Sequence, residues 1–181
     1  MVLPVDYFER ILSKFSISET LGIASGTCFL MLNGRKKIEK VSQGHTRGGL
    51  KTYRRDCFDQ INGIRELDGW DGIDNIAAQM NGWEAISFND LEVLHQRITG
   101  SHYGLVSGCF EAGKFAYSMG YFPPLLIARS LHRMLRKPLI IGGISMFMGY
   151  LSSVLFHRKR EIDPEIVSFL RKKQKNRLKP W

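Results

Sequence analysis

A chain of 181 residues is long enough to bury a working core, and one domain is the default at that length. Its 44% hydrophobic and 24% charged content is ordinary for a globular protein, and its three widely spaced cysteines (Cys28, Cys57, Cys109) fit neither a disulfide framework nor a zinc pattern. The net charge of +9 is uneven: residues 129–181 hold 13 Lys and Arg against Glu161, Asp163 and Glu165, while residues 1–128 come to −1. Such asymmetry points to nucleic acid or an anionic membrane surface.

Residues 5–15 space apolar groups at Tyr7, Phe8, Ile11, Leu12 and Phe15, the period of a helix, with Asp6 placed to cap it. MVLPVDYFER has no basic segment followed by an apolar run and does not read as a secretory signal, and unpaired cysteines suit a reducing cytoplasm. Residues 21–32, LGIASGTCFLML, predict a buried strand starting near Ile23, followed by a turn at Asn33-Gly34. Residues 35–44 read as polar and mobile, and 45–49 as a Gly-rich connection. Leu50–Tyr53 reads as a short strand or bend, and Arg54–Ile61 as two helical turns stopped by Asn62-Gly63. A helix is expected over Ile73–Met80, ended by Asn81-Gly82 in a left-handed cap. Trp83–Phe88 and Leu91–Leu94 read as two short strands around Asn89-Asp90.

A small-residue helix is expected over Tyr103–Tyr121, broken by Pro123-Pro124. In residues 125–136, Arg129, His132, Arg133 and Arg136 share one arc, and Ile127, Ala128, Leu131, Met134 and Leu135 fill the other. That pattern suits a membrane interface or a surface helix on a protein core. Pro138–Phe156 runs 19 residues without a charge. It could span a bilayer, form a re-entrant or interfacial hairpin with the helix before it, or be a buried helix. Asp163-Pro164 opens a last basic helix. Aromatics are not interleaved with the C-terminal cations as a stacking platform requires, so nucleic acid is not an expected partner.

The candidate chemistry centres on Gly69-Trp70-Asp71-Gly72-Ile73-Asp74. A carboxylate in a partly desolvated loop beside an indole can be tuned as a general base, and Trp70 or Trp83 could stack on a sugar. The plainer alternative makes Asp74 the cap of the following helix and Asp71 a solvated turn residue. His95 and Arg97 form a polar cluster directly after an apolar strand, where binding groups tend to sit. Arg47, Arg54 and Arg55 could hold a diphosphate or be plain surface charges. No tight histidine pair exists, so metal binding by histidine is not expected.

In order along the chain stand Leu3-Pro4-x-x-Tyr7-Phe8, then Thr46-Arg47-Gly48-Gly49-Leu50-Lys51-Thr52-Tyr53-Arg54-Arg55-Asp56-Cys57-Phe58, then Gly69-Trp70-Asp71-Gly72-Ile73-Asp74. Gly82-Trp83, Leu91-x-Val93-x-His95-x-Arg97-x-Thr99-Gly100-Ser101 and Arg171-x-x-Gln174-x-x-Arg177-Leu178 follow. This ordered set resembles the second half of family 2 glycosyltransferases, inverting GT-A enzymes that use nucleotide-sugar donors. The resemblance implies an α/β fold, a short mixed sheet forming the acceptor half of a GT-A domain over residues 1–102. It also implies a helical, basic, membrane-associated region over 103–181. By the same resemblance Asp71, with Asp74 second, is the catalytic base. The resemblance also implies that Gln174 and Arg177 help bind donor diphosphate or acceptor, and it leaves Trp70, Trp83, His95 and Arg97 as the residue-level candidates for a glycan or lipid-linked acceptor and Arg47, Arg54 and Arg55 as those for the donor diphosphate. Leu178 stands where that element has Trp.

The family's Asp-x-Asp motif, which holds a divalent cation (Mg or Mn), occurs nowhere in the chain. The resemblance therefore implies a truncated or split gene, or a boundary error, with a separate N-terminal donor-binding chain as possible partner. It implies no transferase activity for this polypeptide alone, and a place at the cytoplasmic face of a membrane, peripheral or with one span at 138–156. The alternative is a non-enzymatic membrane-peripheral protein working through its basic amphipathic helices.

Overall fold

The computed structural model describes residues 1–32, 34–39, 44–67, 69–96, 104–160 and 162–178. The fold is α/β, in two compact units, Met1–Ile98 and Thr99–Trp181.

In the first unit, α1 (Tyr7–Ile17) precedes the long strand β1 (Leu21–Leu32). β1 is the hub of a four-stranded sheet: β2 (Arg35–Ile38) and β3 (Thr52–Tyr53) pair with it antiparallel, and β4 (Glu84–Leu94) pairs parallel. Between β3 and β4 come α2 (Arg55–Gln60) and α3 (Trp70–Met80), so a helix makes the crossover that a parallel pair needs. Alternate residues of β1 face opposite ways. Ala24 and Cys28 join Tyr7, Ile11, Leu50 and Val93 in an apolar cluster, whereas the Ser25 and Ser87 hydroxyls pair at 2.7 Å under segment 44–49. Tyr7 pins the apolar side: its hydroxyl donates to the Leu50 carbonyl at 3.1 Å and accepts from the Gly26 amide at 3.0 Å.

Three sequence expectations need correction here. Residues 35–38 are not a loose polar stretch but strand β2: the register Leu32↔Arg35 leaves two residues for the turn, where Gly34 has φ +73°. Its exposed Arg35, Lys36 and Lys37 charge the free edge of the sheet. Glu84–Leu94 is one strand, not two. The pairing jumps from Gly26↔Phe88 to Thr27↔Glu92, so Asn89–Leu91 bulge out of the ladder. Thr27 Oγ1 donates to Asn89 Oδ1 at 3.1 Å, and any side chain at Gly26 would overlap the Leu91 carbonyl. Helix α3 starts at Trp70 rather than Ile73, after Gly69 at φ +78°. Asp74 therefore lies inside the helix and is not its cap.

In the second unit, α4 (Leu105–Ser118), α5 (Pro123–Met134), α6 (Ile141–Leu155) and α7 (Pro164–Leu178) follow one another. Pro123 and Pro124 open α5 instead of merely breaking α4, because the first helical positions have no amide to lose. α6 packs on its neighbours through glycines. A side chain at Gly113 would overlap the Met146 carbonyl, at Gly149 the Phe110 carbonyl, and at Gly143 the Ser130 carbonyl. No helix among the described residues is long and apolar enough to cross a membrane. α6 has 15 residues, about 22 Å at 1.5 Å each, short of a bilayer core of about 30 Å.

Cys57 of α2 is fully buried, and burial pushes its thiol up to about 11 from an ordinary 9.0. The unfolded chain sheds this proton first, so the stabilisation is full below pH about 9 and is lost as pH rises towards 11. Burial shifts Tyr7 and Cys28 in the same direction. Urea unfolding under reducing conditions should show stability falling between pH 8 and about 10.5. Cys57→Ala should make the fall shallower, and an equal fall in the variant would contradict this account.

Candidate functional site

The acid pair of α3 sits where segment 44–53 runs alongside the helix. Asp74 is 4% exposed, and its carboxylate is ion-paired with Lys51 Nζ, itself 1% exposed. The Tyr53 hydroxyl donates to the other carboxylate oxygen, and the Asn75 amide donates at 2.6 Å. Lys51 and Tyr53 are two residues apart in extended backbone, so their side chains leave the chain on the same side. Burial lowers the Lys51 pKa, with the Asp74 charge opposing that shift, and burial raises the Tyr53 pKa, with Asp74 reinforcing it.

Asp71 is placed differently. It lies in the first turn of α3, partly exposed. Its main-chain carbonyl accepts from Lys51 Nζ and from Asn75 Nδ2, each at 2.6 Å. Its carboxylate makes no hydrogen bond or ion pair among the described residues. Gly48 lies against it: a Cβ there would come within 3.1 Å of the Asp71 Cβ. The Trp70 ring stands beside the pair, with Lys51 Nζ 5.4 Å from its centroid.

Buried Asn75 ties the segment to the helix. Its Oδ1 accepts from Thr46 Oγ1 at 2.7 Å, and its Nδ2 donates to His45 Nδ1 at 3.2 Å. Burial holds His45 below its ordinary pKa, which keeps the ring neutral and Nδ1 able to accept.

Arg47 links this region to a second cluster. Its Nη2 lies 3.2 Å from Glu39 Oε2, and His95 Nδ1 lies 3.0 Å from the same oxygen. Cys28, Glu39 and His95 bring their ligand atoms within 4.8 Å of one another. This set does not fit the hard divalent cation that the resemblance implies. It offers one thiol, one imidazole and one carboxylate already held by an arginine, where Mg or Mn takes several oxygens.

The other expected site residues are spread out. Trp83 lies beyond the opposite end of α3 from Trp70, about 16 Å along the helix axis, and donates Nε1–H to Gln60 Oε1 at 2.6 Å. Arg54 is a tether: its guanidinium donates to the carbonyls of Leu21, Phe15 and Ser18, and it stacks on Phe15. That geometry commits it to the main chain rather than to a diphosphate. Arg55 is exposed and pairs with Asp59 one turn on. Gln174 belongs to the second unit, where it is buried and accepts from the Phe122 amide at 2.8 Å. Arg97 and the side chain of Arg177 lie outside the described residues. Sequence reasoning gave no role to Lys51, Tyr53, Thr46 or Asn75. Only the two-residue spacing of Lys51 and Tyr53 hinted at a shared target.

No protein-family model, curated protein or solved structure matches the chain.

Removing Lys51 should leave Asp74 buried without its counter-charge. Lys51→Met is expected to lose about 3–5 kcal/mol of unfolding free energy at pH 7. Adding Asp74→Asn should recover part of that loss in urea titrations. A Lys51→Met protein as stable as the parent would contradict the pairing.

Proposed function

We propose that the first unit is the acceptor side of an inverting glycosyltransferase acting from a nucleotide sugar, with Asp71 as its general base. The observation that carries this reading is the unequal treatment of the two acids on α3. Asp74 is closed in by Lys51 and Tyr53, whereas Asp71, one turn earlier, keeps a carboxylate open to a ligand. The order of motifs along the chain supplies the sugar-nucleotide part of the reading. The Trp70 indole supplies an apolar face beside the base, of the kind that stacks on a sugar ring.

In the proposed reaction an acceptor hydroxyl gives its proton to the Asp71 carboxylate as its oxygen attacks the anomeric carbon. The bond from that carbon to the donor diphosphate oxygen breaks, and its electron pair leaves with the nucleoside diphosphate. Attack from the face opposite the leaving group inverts the anomeric centre. Asp74 and Lys51 act by position: Lys51 holds the Asp71 carbonyl and so fixes the first turn of α3. No step is routed through a metal ion.

The test is nucleoside diphosphate release from a panel of nucleotide sugars, run on this chain together with the donor-binding half that the resemblance implies. Asp71→Asn is expected to slow turnover by about 10²–10⁴-fold while leaving the acceptor KM nearly unchanged. Near-normal turnover in that variant removes the base assignment. Absence of release from every nucleotide sugar removes the transferase reading.

A further inference from the structure

Three side chains of different chemistry meet on one face of the sheet. Cys28 lies well inside β1 and pairs across the parallel ladder with Val93. Side chains two residues apart on a strand share a face, so His95 follows Val93 onto the side of Cys28. The antiparallel register Phe29↔Ile38 sets Glu39 opposite Cys28, on the same side again. Main-chain bonds fix both neighbours. The Glu39 amide donates to the Cys28 carbonyl at 2.8 Å, and the His95 amide donates to the Phe29 carbonyl at 2.7 Å. The sulfur, the ring nitrogen and a carboxylate oxygen thus lie within 4.8 Å of one another. They come from β1 and from the ends of β2 and β4, which is why no spacing along the chain announces the set.

The donor set selects the ion. Thiolate, imidazole and carboxylate are the side chains that bind zinc, whereas magnesium and calcium take oxygen ligands. Four-coordinate zinc holds S, N and O at about 2.0–2.3 Å, which puts its ligand atoms about 3.3–3.6 Å apart. His95 Nδ1 and Glu39 Oε2 are already 3.0 Å apart, and a shift of roughly 1 Å closes the whole set on an ion. Cys28 is buried, while the Glu39 and His95 side chains keep 12% and 20% of their surface. An ion and a water can therefore enter past Glu39 and His95. Arg47 supplies the outer hydrogen bond that a ligating carboxylate has as a rule. Its Nη2 donates to the Glu39 carbonyl at 3.0 Å and lies 3.2 Å from the carboxylate.

We propose that Cys28, Glu39 and His95 form a zinc site that clips the ends of β2 and β4 to β1, with a water as fourth ligand. On binding, the Cys28 thiol gives its proton to solvent and its thiolate bonds the ion. His95 keeps its proton on Nε2 and ligates through Nδ1, and Glu39 ligates as the carboxylate. Thiolate and carboxylate together match the charge of the ion. The site uses neither Asp71 nor Asp74 and stands apart from the transferase reading. It gives His95 to the ion rather than to an acceptor.

The test uses the untagged full chain, stripped with a chelator, dialysed and titrated with zinc or with cobalt(II) alone. One ion should bind per chain, and cobalt should give a thiolate-to-metal charge-transfer band that zinc then displaces. Cys28→Ser should abolish the band, whereas Cys57→Ala and Cys109→Ala should keep it. His95→Ala, at a partly exposed position, should lower zinc affinity by at least the roughly 10–100-fold that loss of an outer partner costs. It should also lose the zinc-dependent rise in melting temperature that the parent shows. A chain that binds neither ion overturns the proposal. So does a magnesium affinity equal to that for zinc, a band unchanged in Cys28→Ser, or a zinc affinity untouched in His95→Ala.

Discussion

A carboxylate taken out of water costs several kcal/mol unless a counter-charge and hydrogen bonds go with it. Asp74 meets that requirement with Lys51, Tyr53 and the Asn75 amide. Much of the first unit is arranged around it. Lys51 and Tyr53 can reach Asp74 only if segment 44–53 runs alongside α3, and β3 holds that segment to β1 at Ile23↔Tyr53. With the segment fixed, Thr46 and His45 reach Asn75, and the Arg47 amide reaches Ser25. The same placement brings the backbone of Gly48 against Asp71. A hydrogen-bonded buried network thus holds the segment in place, and next to it stands the Asp71 carboxylate, which the network does not consume.

Much of this could be read from residue order, and the failures have physical causes. Continuous apolar β-formers from Leu21 to Leu32 can do little but build a buried strand, and Gly34 with its neighbours turns it back. The charged strand β2 escaped because an edge strand needs no apolar face. Asn89-Asp90 carries turn chemistry, which by sequence alone marks a break between two strands. In the fold that chemistry serves a bulge, allowed by the missing side chain of Gly26. Asp74 looked like a helix cap because nothing local marks a partner 23 residues away at Lys51. The amphipathic pattern of α5 was legible, but periodicity could not say whether the apolar arc met protein or lipid. Leu126 and Ser130 take the protein contact, and the arc from Ile127 to Leu135 is left outside.

The two units solve the problem of burial differently. The first places large side chains such as Tyr7, Ile11 and Ile73 inside and keeps its buried polar network, Asp74 and Asn75 among it, next to the core. The second adds close backbone contacts at Gly113, Gly143 and Gly149 to a core of Leu126, Met146 and Tyr150. Large apolar side chains such as Leu131 and Ile144 stay exposed, which is costly in water.

The account rests on a division of labour between two acids one helical turn apart, Asp74 holding the fold and Asp71 left open for a ligand. Unfolding free energies of Asp71→Asn and Asp74→Asn, measured side by side at pH 7, test it most directly. The account predicts that Asp71→Asn stays within about 0.5 kcal/mol of the parent. Asp74→Asn, which strands buried Lys51, should lose about 3 kcal/mol or more. Equal losses in the two variants, or the larger loss in Asp71→Asn, would contradict it.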